Sequence, residues 1–352
     1  MSFKIPTKRI SYLFITNSLS GGGAERAINI AVNELSKKEI SVGLLVINDG
    51  PQDLYAPKVP TFEIKRKWQG GLFSLLFAFI KTYWLMIRLR PKVLILNCDL
   101  PEFIGALLFG PWKLVVVEHA TKPWSNRLAL GKLIRRILLI RRSSWVVVSD
   151  HLKPWLSENL KTEHIPNAIF EQNESKIVPI VSGSQIKRLV FIGRLTKASK
   201  QPQWMLDIAE ISKMPVAIYG DGLYRDKLVS DTKVRKLDIK FHGFIANPWN
   251  EISSGDLLIV PSAFEGDGLV VVEALSRGVP ILLNAVADLT RFGLPEKHYC
   301  ENPNDFAFRI SLNKNNLENL VGDIELAQKI ISRRNPEIVA MKWINYLSKI
   351  AT

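Results

Sequence analysis

Short β-branched runs alternate with longer helical stretches along the whole chain, and this alternation constrains the fold more than any other feature. In the first half the runs are "ISYLFIT", "SVGLLVI", "TFEIK", "KVLILN", "KLVVVE" and "WVVVS". After "IPNAIFEQNESKIVPIVSGSQ" they resume as "RLVFIG", "PVAIYG", "IKFHGF", "DLLIVP" and "PILLN". Strands that are apolar almost throughout need cover on both faces, which helices between parallel strands provide. At 352 residues the chain exceeds the roughly 250–300 at which a single core stops growing. The expectation is an α/β protein of two Rossmann-like, doubly wound domains, 1–168 and 169–335, joined by a polar linker around Asn167 to Gln185. Ligands in such folds sit beyond the carboxyl ends of the strands, so the loops there are where chemistry is sought.

Charge separates the halves. The chain carries a net charge of +14. Residues 1–168 hold 24 Lys/Arg against 12 Asp/Glu, and residues 169–352 hold 23 against 21. A basic first half points to an anionic partner, a nucleic acid or a membrane face. No zinc-finger spacing, RNA-binding aromatic signature or helix-turn-helix pattern supports nucleic acid. "NRLALGKLIRRILLIRR" reads as a basic interfacial helix, with Leu130, Leu133, Ile134 and Ile137 on one face and Lys132, Arg135, Arg136 and Arg142 mostly opposite. The run from Leu72 to Leu89 is apolar nearly all round and broken by Lys81, so it reads as a covering helix with Phe77, Tyr83 and Trp84 as candidates to reach lipid rather than as a membrane span. Both segments also suit ordinary covering helices of the first sheet. The start, "MSFKIPTKRISYLFIT", has no signal-peptide apolar region, and Cys98 and Cys300 have no paired spacing, so a reducing cytoplasm is expected.

Four loops carry candidate chemistry. After the first strand, Gly21 to Gly23 open a helix whose free amides favour an anion, although a tight turn would use the same glycines. The G-x-G-x-x-G pattern is missing, which disfavours a nicotinamide enzyme. His119 follows the fifth strand, where a lone histidine is either structural or functional. Arg194 ends the strand "RLVFIG", and Lys200 lies six positions on; the two cations can neutralise a diphosphate without a metal, and no D-x-D triplet is present. In "FEGDGLVVVEALSRGVPI", Glu265 sits at a turn and Glu273 two helical turns later, with the amides of Gly266 to Leu269 facing an anion. Two such carboxylates suit vicinal sugar hydroxyls. They would also suit glycoside hydrolysis, which leaves the cations and glycines without a task, and Glu273 could instead simply pair with Arg277.

In this order, the G-G-A-E-R loop, Glu118-His119, Gly193-Arg194-Leu195 with its lysine, and P-S-x-x-E-G-x-G-L-x-x-x-E-A from Pro261 to Ala274 resemble the retaining, nucleotide-sugar-dependent glycosyltransferases of family four. The resemblance spans essentially the full chain. It implies a GT-B architecture, two Rossmann-like domains facing across a cleft, with a C-terminal helix at about 336–352 packing back on the first. It implies that Glu273 holds the ribose, that Arg194 and Lys200 hold the diphosphate with the Gly268 and Leu269 amides, and that Glu265 holds a sugar hydroxyl. It further implies that His119 contacts the sugar near the reaction centre, and that Gly22, Gly23, Gly193, Ile245, Gly266 and Asp267 complete the donor contacts. Asp267 and Gln201 depart from the family pattern, an aromatic and a glycine respectively. The implied activity is transfer of a hexose or N-acetylhexosamine from a nucleotide diphosphate sugar, expected to be UDP-linked, to a lipid-linked saccharide of a bacterial surface glycan. Anomeric retention and no metal or other cofactor are expected, at the inner face of the cytoplasmic membrane. A GT-B sugar epimerase and an idle scaffold of a glycan assembly are the alternatives.

Overall fold

The computed structural model describes residues 9–19, 22–48, 57–66, 71–120, 124, 127–152, 160–169, 183–322 and 324–351. Gly21 and most of the expected linker lie outside the described residues. The chain divides into two units, 1–170 with 334–352, and 171–333.

Unit 1 holds a seven-stranded sheet: β1 (Tyr12–Thr16), β2 (Val42–Asn48), β3 (Thr61–Arg66), β4 (Val93–Asn97), β5 (Lys113–Glu118), β6 (Ser144–Val147) and β7 (Thr162–His164). Their order is 3-2-1-4-5-6-7, every pairing parallel. The helices between them are α1 (Gly23–Lys37), α2 (Gly71–Leu89), α3 (Asp99–Leu107) and α4 (Leu128–Ile140). Strand residues alternate between two layers. Phe14, Leu44 and Ile95 face α1 in one, while Leu13, Leu45 and Leu94 face α2 to α4 in the other. Because both layers are filled, the strands are apolar almost without interruption.

Unit 2 repeats the plan with β8 (Arg188–Ile192), β9 (Val216–Tyr219), β10 (Ile239–Gly243), β11 (Asp256–Val260), β12 (Ile281–Asn284) and β13 (Tyr299–Cys300), in the parallel order 10-9-8-11-12-13. Its helices are α5 (Trp204–Ser212), α6 (Arg225–Val234), α7 (Leu269–Ser276), α8 (Ala287–Thr290), α9 (Pro303–Leu312) and α10 (Ile324–Ser332). Both sheets therefore reverse direction beside their first strand, between β1 and β4 and between β8 and β11. At such a switch point, neighbouring crossovers diverge and leave a crevice over the carboxyl ends. The short strands β7 and β13 were not legible in the sequence.

The last helix, α11 (Pro336–Ala351), belongs to unit 1. Asn335 starts it by accepting the Glu337 amide at 2.8 Å, and Pro336 occupies a position that needs no donor. It buries Val339, Ala340, Trp343 and Leu347 in the α1 layer, with the Trp343 ring edge-on to Phe14 at 5.4 Å.

Candidate functional site

In unit 2 the parallel order of the sheet brings three loops together at the switch point. The loop after β8 and the loop after β11 are stitched by the Ala263 amide donating to the Ser199 carbonyl at 2.8 Å, and the Asn284 amide at the end of β12 donates to the Ser262 carbonyl at 3.1 Å. This places Lys200 against Glu265, Nζ to Oε1 at 2.5 Å, although the two lie 65 positions apart. Ser262 donates to the same oxygen at 2.7 Å, and the Glu265 backbone amide is held by Asp288 at 2.9 Å. Glu265 is only 6% exposed, so its charge is desolvated and the adjoining cation compensates it. Lys200 is thus an ion-pair partner of Glu265. Arg194 is exposed, at the carboxyl end of β8.

Gln201 takes φ of 46°, in the left-handed region. A glycine, which the family pattern has there, would take this conformation without the strain that glutamine bears. Gly268 takes φ of 64° as the residue before α7, and a Cβ there would lie 2.9 Å from the Phe292 ring. The glycine turn leads into α7, where the Val271 and Val272 amides donate to the Gly268 carbonyl and the Leu269 and Val270 amides precede any intrahelical acceptor. Asp267 is buried, and Gly266 accepts from Arg291 at 3.3 Å.

One α7 turn after this loop, Glu273 accepts the Trp249 indole N–H at 2.9 Å. Arg277 lies over that indole, 4.9 Å from the ring centroid, and donates to the backbone carbonyl of Glu273 at 2.8 Å. The carboxylate is thereby oriented by the indole, and Arg277 reaches main chain where a carboxylate pairing had been the alternative. Gly193 accepts close backbone approach: a Cβ on Gly220, whose φ is 141°, would lie 1.9 Å from its carbonyl oxygen. Ile245 is half-buried after β10, whose His242 stacks on Tyr219 at 4.6 Å.

In unit 1, His119 is not alone. Its Nε2 bonds to the Asn97 side-chain oxygen, and the Asn97 amide donates to the Thr16 hydroxyl at 3.1 Å. Thr16 and Asn97 are the last residues of β1 and β4, and His119 follows β5. A polar chain thus runs across the carboxyl ends of three neighbouring strands and fixes the imidazole. Gly22 precedes α1 in extended backbone, its carbonyl accepting from the Arg26 amide, and Gly23 is the first helical residue.

Arg135 corrects the sequence reading. It is fully buried, and donates to both Glu102 oxygens at 2.9 and 3.1 Å and to Glu118. Trp124 donates to Glu102 at 2.8 Å. The two carboxylates, on α3 and at the end of β5, need a buried counter-ion, and α4 supplies it between the buried Ile134 and Leu138. Burial pushes Glu102 up, Arg135 pulls it back and Glu118 raises it again, to about 7. Burial alone would lower Arg135, but Glu118 and Glu102 more than reverse this and keep it charged. Lys132, Arg136 and Arg142 are exposed as read, while Leu133, assigned to the apolar face with Ile134, also points outward.

Sequence reasoning missed Thr16, Asn97, Trp249 and Asp288, and gave Ser262 only as part of the motif from Pro261 to Ala274. Thr16 and Asn97 had a usable signal, as polar residues ending otherwise apolar strands. Trp249 and Asp288 had none, because only the tertiary fold brings them to Glu273 and Glu265. Among the described residues no group of three His, Cys, Asp or Glu side chains is arranged to hold a metal ion.

Residues 186–311, from just before β8 to α9, match the family described as Glycosyl transferases group 1. The chain is 23% identical over 283 residues, 74% of its length and 76% of the relative's, to the N-acetylgalactosamine-N,N'-diacetylbacillosaminyl-diphospho-undecaprenol 4-alpha-N-acetylgalactosaminyltransferase of Campylobacter jejuni. Sucrose-phosphate synthase from Thermosynechococcus elongatus superposes with a TM-score of 0.76 at 16% identity, covering 97% of this chain and 99% of that one. HepE from Anabaena, in complex with UDP and glucose, superposes with a TM-score of 0.73 at 17% identity, covering 97% and 100%.

Proposed function

From the premise that this chain is a glycosyltransferase of the GT-B fold with a group 1 domain in its second unit, we propose that it moves a hexose or N-acetylhexosamine from a UDP-linked donor to a lipid-linked saccharide. The product is a bacterial surface glycan, the anomeric configuration is retained, and the enzyme works at the inner face of the cytoplasmic membrane. One observation carries the reading. Two carboxylates flank a left-handed glycine turn at the switch point of unit 2, each oriented by its own partner, Glu265 by Lys200 and Ser262, and Glu273 by Trp249.

Each group then has a task. Glu273, steadied by the indole, accepts the two ribose hydroxyls. The amides at the start of α7 and the exposed Arg194 take the diphosphate charge, and Lys200 serves both Glu265 and the leaving group as charge develops on it. Glu265 binds a hydroxyl of the sugar. In unit 1, we assign the Asn97-held His119 to the sugar near its reacting carbon. Retention follows from front-face attack: the acceptor oxygen bonds to the anomeric carbon as its bond to the diphosphate oxygen breaks, and the departing diphosphate takes the acceptor proton. No divalent ion enters this scheme, since side-chain cations and amides neutralise the leaving group.

HepE with UDP and glucose supports the donor class, and the diphospho-undecaprenol in the name of the Campylobacter enzyme supports the acceptor class. The test is release of UDP on incubation with UDP-sugars, with and without a diphospho-undecaprenol-linked saccharide, in the presence of EDTA. Acceptor-dependent release is expected. Release that ignores the acceptor, or that stops with EDTA, refutes the corresponding part.

A further inference from the structure

Helix α2 is 19 residues long, carries no acidic residue, and is long and apolar enough by length and composition to cross a membrane. It cannot do so in this fold. Ala78, Thr82, Leu85, Met86 and Leu89 are buried, most of them against the sheet layer that holds Leu13 and Leu45. The opposite face is apolar and bare: Leu72, Phe73, Phe77, Ile80, Trp84 and Ile87 are all exposed, Phe73 by 89%. At about 100° per residue these six fall within an arc of about 140°, centred opposite the buried set. An exposed apolar stripe of this extent marks an interaction surface.

The cations identify the partner. Lys81 and Arg88 fall along one edge of the stripe and fold back over its rings, Lys81 4.3 Å from the Phe77 centroid and Arg88 4.1 Å from that of Trp84. Arg141, just after α4, lies over the exposed Phe109 of the loop after α3 at 5.1 Å. Aromatic rings with positive heads beside them, bordering aliphatic side chains, form the layered chemistry of an acyl boundary beneath anionic headgroups. A second copy of this chain would bring cations to cations.

We propose that α2 lies in the plane of an anionic bilayer, its bare face inserted among the acyl chains and Lys81 and Arg88 at headgroup level, so that apolar insertion through α2 rather than the charge of α4 holds unit 1 on the membrane. The inference rests on the membrane association proposed above and names the face responsible. The arrangement reconciles a helix clamped to a sheet on one side with an apolar surface on the other.

The test is co-sedimentation with phosphatidylglycerol/phosphatidylcholine vesicles of the full chain, an α2 variant (F73E/F77E/I80E) and an α4 variant (K132Q/R136Q/R142Q). All six positions are exposed, and a melting curve of each variant confirms its fold. The α2 variant should lose binding roughly a hundredfold or more, since each exposed ring or isoleucyl side chain withdrawn from water contributes strongly. The α4 variant should retain most of it, and binding of the parent should persist in about 1 M salt, where charges are screened beyond about 3 Å. Parent-like binding by the α2 variant overturns the proposal. So does a parent that is dimeric without lipid, fails to bind vesicles and becomes monomeric through the α2 substitutions. Thermal stabilisation by UDP, read on the same three proteins, keeps the outcomes apart: vesicle binding without a UDP response would sink the glycosyltransferase assignment and leave this one standing.

Discussion

Replacing Arg135 by methionine tests the least expected element of the structure. The substitution keeps most of the volume and removes the cation that Glu102 and Glu118 share. Deleting one partner of a buried ionic group costs roughly 3–5 kcal/mol, because the remaining charge is left without compensation. The pH dependence makes the cause identifiable. Glu102 is raised from the ordinary 4.5 to about 7 even with Arg135 present; the folded state holds its proton more tightly than the unfolded chain, so this group's contribution to stability is full below about 4.5 and is lost as pH rises through about 7. That shift corresponds to roughly 3 kcal/mol between the ends of the window. Without Arg135 the carboxyl is raised further, so the penalty should be small near pH 5 and grow through neutrality. In a unit of this size each 1 kcal/mol moves the midpoint by about 2–4 °C, so thermal unfolding followed by circular dichroism should place the variant roughly 6–20 °C below the parent at pH 8. The triple variant R135M/E102Q/E118Q should recover most of the loss. A midpoint within 2 °C of the parent at pH 8 (less than about 1 kcal/mol), or an equal loss at pH 5 and 8, would refute the buried-charge argument.

Lys200→Met should lower turnover about 10²–10³-fold, as expected for one lost preorganised donor, and K200M/E265Q should restore the melting midpoint without restoring activity. Glu273→Gln keeps an acceptor for the Trp249 indole but loses charge-assisted bonds of about 1.5–3 kcal/mol each, so UDP affinity by calorimetry should fall at least tenfold, while Glu265→Gln leaves it nearly unchanged; the reverse pattern would exchange the two roles. Gly220→Ala forces a Cβ into the Gly193 carbonyl and a strained backbone, on the order of 2 kcal/mol or more, and should lower both the melting midpoint and turnover; an unchanged midpoint would show that the β8 and β9 loops can separate.

The sequence by itself determined the two doubly wound domains, because every internal strand is covered on both faces and so must be apolar along its length: Leu44 to Ile47 and Leu257 to Val260 announce their parallel partners without any long-range information. It also located the candidate loops, since Arg194, Glu265 and His119 each follow a strand at its carboxyl end, and the resemblance to GT-B glycosyltransferases was readable from those loops. What a side chain touches was decided only by the tertiary structure. Amphipathic spacing put Arg135 on the polar side of α4, yet the periodicity of a helix cannot see two carboxylates carried by α3 and β5, and their desolvation is what draws the guanidinium inward. For the same reason Lys200 is found on Glu265 and Glu273 on an indole 24 positions away. The apolar run of α2 offered Phe77, Tyr83 and Trp84 as outward rings, and all three are exposed, but it did not point to Phe73 or Ile80, because a helix apolar nearly all round has no polar face to orient it; the sheet beneath chose Ala78, Leu85 and Met86, and left Phe73 and Ile80 in the open.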